Sequence, residues 1–247
     1  MSLGWQDSGI VLSVRPHGEN GGILSVLTAE HGRALGYVYG ATSTRQRGVL
    51  QVGNRVAVTW QAKAAGQLGN FAIELEKTCV GDVIDDAVKL TALQSAAALA
   101  DRALPEGEKH PGVYMGFCAL LDAFAQDSDI WPATYIFWEL GLLRELGFGL
   151  DLTKCVSTGS RDNLLYVSPR SGCAVSAAAG EIYKEKLLAL PPFLRGEARF
   201  EPQDVLDGLR LTGHFFLHRV FAQAHAPLPE ARQRLEEKIS AKIVAAS

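Results

Sequence analysis

Two histidines four residues apart, His214 and His218 in GHFFLH, are the first candidates for chemistry. On a helix that spacing puts both rings on one face, as in a zinc pair. A metalloprotease helix carries Glu directly after the first His; here Phe215 stands in that place, and no third ligand suggests itself. The two read as structural or surface histidines, with a metal-dependent hydrolase as the competing reading. The second candidate is CVSTGSRDNLLYVSPRSGCAVS, residues 155–176, two extended pieces around the turn SPRSG. A zinc knuckle needs two Cys-x-x-Cys pairs. Thr158 follows Cys155 at that spacing and Ser176 follows Cys173. Hydroxyls are poor substitutes for thiolates, and two thiolates do not close a tetrahedron. The expectation is a ribbon without metal.

Other chemistries find less. G-x-G-x-x-G, the Walker loop and G-x-S-x-G are all missing from the sequence. The carboxylate pairs Asp85–Asp86 and Glu236–Glu237 fall at helix ends or on solvated faces, with no nucleophile, base and oxyanion donor assembled around them. The expectation is a protein without a catalytic site or cofactor. Binding is better served. The stretch GATSTRQRGVLQVGNRVAV, residues 40–58, carries Arg45, Arg47 and Arg55 among Gly40, Gly48 and Gly53, and no acid. Arg33 sits at the preceding turn; Tyr37, Tyr39 and Trp60 lie on neighbouring strands. Guanidinium forks suit phosphodiesters, and aromatic rings on an open barrel face stack unpaired bases. The bland alternative is soluble loop arginines and core aromatics. The chain as a whole has a net charge of −3, but residues 1–80 hold seven Lys/Arg against five Asp/Glu. The basic excess is local to that third.

The elements that would position these residues change character near residue 80. Before it, GIVLSV, ILSVLT, RALGYVYG, RVAVTW and FAIELE have the alternation or β-branched content of strands. Val56, Val58 and Trp60 share one face, as do Phe71, Ile73 and Leu75. Five short strands punctuated by HGEN, EHG, the basic loop and AAGQLGN suggest a small antiparallel barrel of the OB type, with an SH3-like barrel fitting the count almost as well. After Cys79 the chain turns helical. Asp85 or Asp86, Pro111 and Asp129 mark helix starts and Gly147 a stop. Trp131, Tyr135, Trp138, Leu142 and Leu146 form one apolar stripe, and two more helices are expected at about 203–225 and 229–245. The class is α+β with two domains, 1–80 and 81–247, the ribbon-like insert at about 150–177 lying in the second. No apolar run reaches membrane-span length, no secretory signal is evident, and four cysteines make no disulfide framework. A cytoplasmic protein with reduced thiols is expected.

Several of these stretches resemble the RecO family of recombination mediators. GIVLSVRPHGENGGILSVLTAEHGRALGYVYGA resembles the family's opening, with Thr28, Gly32 and Arg33 at its recurring positions. LQVGNRVAVTW is similar to its L-Q-P stretch, with Val52 where Pro is usual. WELGLLRELGFGLDLTKCVSTG and GLRLTGHFFLHRVF are similar to its central segment and last long helix. The resemblance implies an N-terminal OB-fold and a helical domain with a zinc-ribbon-like insert, which Thr158 and Ser176 leave short of ligands. It also implies binding of single- and double-stranded DNA, annealing, help in loading RecA onto DNA coated with single-strand-binding protein, and a nucleoid-associated location. RecR and the acidic tail of single-strand-binding protein are the implied partners. For that tail, Arg210, His214 and Arg144 are the candidate receptor residues, a cation beside apolar helix faces. The competing reading is an OB-fold adaptor that binds RNA or protein only.

Overall fold

A computed structural model describes residues 3–64, 66–126 and 130–246 of the 247-residue chain. Five strands form a closed barrel: β1 (Leu3–His17), β2 (Gly21–Thr28), β3 (Gly32–Val38), β4 (Arg55–Ala62) and β5 (Gly69–Lys77). The order around it is β1-β2-β3-β5-β4, with β4 closing onto β1 and β3 running parallel to β5. That closure, with a helix between β3 and β4, is an OB-fold and disposes of the SH3-like alternative. β1 serves both neighbours because a bulge between Val11 and Ser13 lets it turn from β4 to β2. The core holds Val11, Leu24, Val26, Val38, Val56, Val58 and Phe71. The expected inward face of β5 holds only for its first half: Phe71 is buried, whereas Leu75 is exposed. The turn between β2 and β3 explains two of the recurring positions. Thr28 Oγ1 accepts from His31 N and donates to the Gly32 carbonyl. Gly32 has φ +67°, and the Glu108 carbonyl occupies the space a Cβ would need.

The basic loop is not all loop. Thr44–Val49 forms the short helix α1, capped by Ser43, whose hydroxyl accepts from Gln46 N. Ser43-Thr44-Arg45-Gln46 is the capping-box pattern, a signal present in the sequence and overlooked there. Fully buried Asn54 anchors it. Its amide donates to the carbonyls of Gly48 and Val49, and its oxygen accepts from Cys79 N, where the chain leaves the barrel.

Two helices follow: α2 (Ala87–Ala103), capped by Asp86, and α3 (Pro111–Phe124), which starts at Pro111 as expected. The chain folds as two compact units, Met1–Asp127 and Ser128–Ser247. The change from strands to helices falls near residue 80, but the first compact unit runs on through α2 and α3. The sequence pattern marks where secondary structure changes; side chains linking helices to barrel decide where packing changes.

The second unit contains α4 (Trp131–Glu145), a three-stranded sheet of order β7-β6-β8, and two long helices. Its strands are β6 (Leu164–Val167), β7 (Ala174–Ser176) and β8 (Leu188–Ala189), with the short α5 (Ala177–Gly180) after β7. α6 (Pro202–Phe215) ends in a π turn, Phe216–Val220, and α7 is Glu230–Ala246. The proposed cap Asp129 lies outside the described residues; Gly147, at φ +84°, follows α4 as expected. Trp131, Tyr135, Trp138 and Leu142 are buried. Gly208 lets α4 and α6 approach closely, since a Cβ there would meet Ile136 at 2.5 Å.

This unit is organised by a buried charge pair. Arg232 of α7 and Glu139 of α4 are both 0 % exposed, with Nε to Oε1 at 2.6 Å. The Arg232 guanidinium also donates to the Leu209 carbonyl at 2.5 Å and to Glu236 at 3.4 Å. Glu139 accepts from Tyr135 Oη at 2.9 Å and from Thr212 Oγ1. Burial works against the guanidinium's charge, but Glu139 outweighs it and raises the Arg232 pKa. Arg232→Ala, which strands a buried carboxylate, is expected to cost about 3–5 kcal/mol in urea unfolding; Arg232→Met with Glu139→Leu is expected to recover most of that loss.

Candidate nucleic-acid interface

The end of β3 carries Tyr37 and Tyr39, whose rings meet edge to face at 4.7 Å. Tyr37 lies over Gly21, in space any Cβ there would take. Its other edge faces the His17 ring at 6.1 Å. Tyr39 is 70 % exposed. The chain then enters α1, which presents Arg45 and Arg47 to solvent. Among the described residues neither is ion-paired. Tyr39, Ser43, Arg45, Ile73 and Leu75 line a groove of about 630 Å³ that includes one carboxylate, Glu74. The structure thus brings together three of the expected residues, Tyr37, Tyr39 and Arg45, with Arg47 exposed two residues further along α1. Sequence reasoning missed His17 and Gln46. His17 becomes visible only through the barrel register, in which it pairs with Gly21 beneath Tyr37.

Trp60 belongs elsewhere. It stacks on Trp5 at 5.7 Å and donates its indole N–H to the Leu35 carbonyl. Trp5 in turn stacks on His31 at 4.2 Å, and His31 Nδ1 meets Asp7 at 2.9 Å. Desolvation pushes against ionisation of Asp7, but His31 and the amides of Glu30 and Ser8 hold its pKa below the usual carboxylate range.

Arg33 and Arg55 point inward. Arg33 Nε donates to the Leu104 carbonyl at 2.8 Å and its Nη1 lies 3.6 Å from Asp101, which also accepts from Ser13. Arg55 Nη2 donates to the Cys118 carbonyl at 2.9 Å and to Asp122 at 2.8 Å, and its Nε is buried. Desolvation opposes its charge, and Asp122 restores it, raising the pKa. These arginines hold α2 and α3 to the barrel and leave their forks little freedom for a phosphate.

In the second unit, Arg144 is exposed. Arg210 is half exposed, 3.9 Å from Asp207, and shares a groove of about 540 Å³ with Glu236 and Glu237. His214 turns to the hairpin turn before β7, where its ring bonds to the Pro169 carbonyl, and its ring lies 4.4 Å from that of His218. Arg210 and His214 therefore face different surroundings, and the acidic groove around Arg210 is a poor receptor for an acidic tail. Among the described residues no group of three or more His, Cys, Asp or Glu side chains that could hold a metal ion occurs.

The ribbon forms, with β6 and β7 antiparallel and Asp151 bridging to Cys173. Burial works against a Cys155 thiolate, but the hydroxyls and amides of Ser176 and Thr158 bond to the sulfur and bring its pKa down to about 6. The residues at the two remaining ligand positions serve as donors to sulfur, so this donor set does not fit tetrahedral zinc.

Comparison with known proteins agrees with the barrel and the helices. The model for "Recombination protein O N terminal" matches residues 1–77, and that for "Recombination protein O C terminal" matches residues 84–226. The chain belongs to the RecO family. "DNA repair protein RecO" of Rhodospirillum centenum is 49% identical over 95% of this chain and 94% of its own length. The RecO proteins of Caulobacter vibrioides strain CB 15 and of Jannaschia sp. are 46% and 40% identical, over 97% and 98% of this chain and 96% and 98% of theirs. No helix among the described residues is long and apolar enough to cross a membrane.

Two outcomes follow for this RecO chain. Arg33→Ala and Arg55→Ala are each expected to cost about 1.5–3 kcal/mol of stability while leaving the salt dependence of oligonucleotide binding unchanged; a flattened slope in either would return that arginine to the interface. Elemental analysis of purified protein is expected to find no stoichiometric zinc, and chelators are expected not to unfold it.

Proposed function

We infer that this chain serves recombinational DNA repair as a DNA-binding mediator, acting through strand capture and partner recruitment with no covalent step. The observation that carries the reading is the groove on the OB barrel in which exposed Tyr39, its ring edge to face with half-buried Tyr37, lies with Arg45, while Arg47 is exposed on the same short helix and neither arginine is ion-paired among the described residues. Tyr39 offers a stacking platform for an unpaired base. Arg45 and Arg47 neutralise phosphates and release counterions. The same face suits both single strands, through stacking and charge, and duplexes, through charge alone. Annealing of complementary strands and help in placing RecA on DNA coated with single-strand-binding protein belong to this reading. RecR and the acidic tail of single-strand-binding protein are its partners. The tail is assigned to the unit 128–247, where exposed Arg144 is a better cation than Arg210.

Arg45→Ala with Arg47→Ala is expected to reduce the salt slope of oligonucleotide binding by about two, one for each phosphate contact. Tyr39→Ala is expected to weaken single-strand binding by about 1–3 kcal/mol and duplex binding far less. An unchanged slope moves the interface elsewhere. Equal displacement of bound DNA by structured RNA favours the adaptor reading.

A further inference from the structure

Where α6 gives way to its π turn, His214, His218 and Arg219 lie together next to the turn that carries Arg170. His214 and His218 have their rings 4.4 Å apart. Arg219, the next residue, donates to the Arg170 carbonyl at 2.6 Å, and His214 bonds to the neighbouring Pro169 carbonyl. These two contacts tie the helix end to the hairpin turn 168–172, the turn that carries exposed Arg170. Gly172, at φ +73°, closes that turn close to Phe215 of α6. A π turn is a local departure from regular helix that recurs at functional positions.

The cluster has no counter-charge. Burial first, then electrostatic repulsion from His218 and Arg219, holds His214 below the ordinary histidine range. No carboxylate acts on it, and among the described residues none is ion-paired with His214, His218, Arg170 or Arg219. Arg170, Arg219 and His218 are exposed. Basic groups are kept together without a paired anion among the described residues, an arrangement that an external anion would relieve.

We propose that His214, His218, Arg170 and Arg219 form a second nucleic-acid contact that takes a phosphodiester of the backbone, separate from the tyrosine–arginine face of the barrel. The proposal rests on the reading of this chain as a DNA-binding protein and extends it to two sites. A phosphodiester fits better than an acidic protein tail ending in an apolar side chain. The π turn offers a single half-exposed apolar residue, Leu217, so charge rather than apolar cover dominates. The histidines add a condition. Without a ligand the surroundings disfavour protonation of His214; a bound phosphate favours its protonated form. Proton uptake is therefore linked to binding, and affinity at this site rises as pH falls from 7.5 to 6. Two separate contacts would let one molecule hold two strands at once, the geometric requirement for pairing them.

The test uses the full chain and a fluorescein-labelled thirty-nucleotide oligo-dT, read by anisotropy across salt at pH 6.0 and 7.5. Two double variants are compared with wild type. Arg170→Gln with His218→Gln spares both bonds to the turn carbonyls; Arg45→Gln with Arg47→Gln disables the barrel face. Thermal melting checks that each remains folded. Wild type is expected to bind at least about threefold tighter at pH 6.0 than at 7.5. The first variant is expected to lose that gain and about one to two from the salt slope. The second is expected to keep the pH gain while losing slope. A first variant with the wild-type slope and pH gain overturns the second contact and leaves the barrel reading intact. A second variant with the wild-type slope, beside a first variant that loses slope, overturns the barrel reading and leaves this contact standing. A deca-glutamate peptide bound by wild type and lost by the first variant, with DNA binding untouched, overturns the assignment to phosphate.

Discussion

A guanidinium removed from water must have its N–H groups met and its charge answered, and the second unit is arranged around that demand. Arg232 has no exposure at all. Its requirements fix α7 against α4 through Glu139 and against α6 through the Leu209 carbonyl. Glu139, equally buried, must in turn satisfy its own oxygens, and it does so with Tyr135 and Thr212. The pair contributes little net energy compared with a well-packed apolar alternative. What it does is penalise every arrangement of the three helices that leaves either charge alone.

The same physics sorts the arginines of the first unit. Arg33 and Arg55 meet carbonyls and carboxylates of α2 and α3 and become internal fastenings. Arg45 and Arg47 sit on a short helix with no acid within its span and stay available. In the sequence all four look alike, because an arginine carries no mark of a partner 63 or 71 residues further on. Periodicity was more informative. The alternation of Val56, Val58 and Phe71 placed them in the barrel core, and the stripe from Trp131 to Leu142 placed α4. Tyr37 and Tyr39 were legible as aromatic residues on a strand; their company, His17 and α1, required the register. The extension of the first compact unit through α2 and α3 was not legible for a related reason, since the fastenings that join these helices to the barrel are long-range.

The ribbon shows how one scaffold tolerates a change of chemistry. Metal ribbons hold their turns by coordination; here backbone bonds do that work. Val156 N donates to the Ala174 carbonyl and Cys155 N to that of Ser160, while Thr158 and Ser176 direct their donors at one sulfur. A thiolate with hydrogen-bond donors around it is a stable end point, whereas a half-complete zinc site is not.

The distance along the chain between Glu139 and Arg232 also sets an order of events during synthesis. The two are 93 residues apart, and at ribosomal speeds of about 5–20 residues per second the acid precedes its partner by roughly 5–20 s. Through that interval α4 carries a carboxylate meant for a dry interior with no cation to meet it. The nascent second unit therefore has reason to stay open and hydrated until α7 emerges, while the barrel, α2 and α3, already complete, can fold ahead of it. A ribosome stalled between α6 and α7 would hold α4 with its carboxylate still without the cation that α7 supplies.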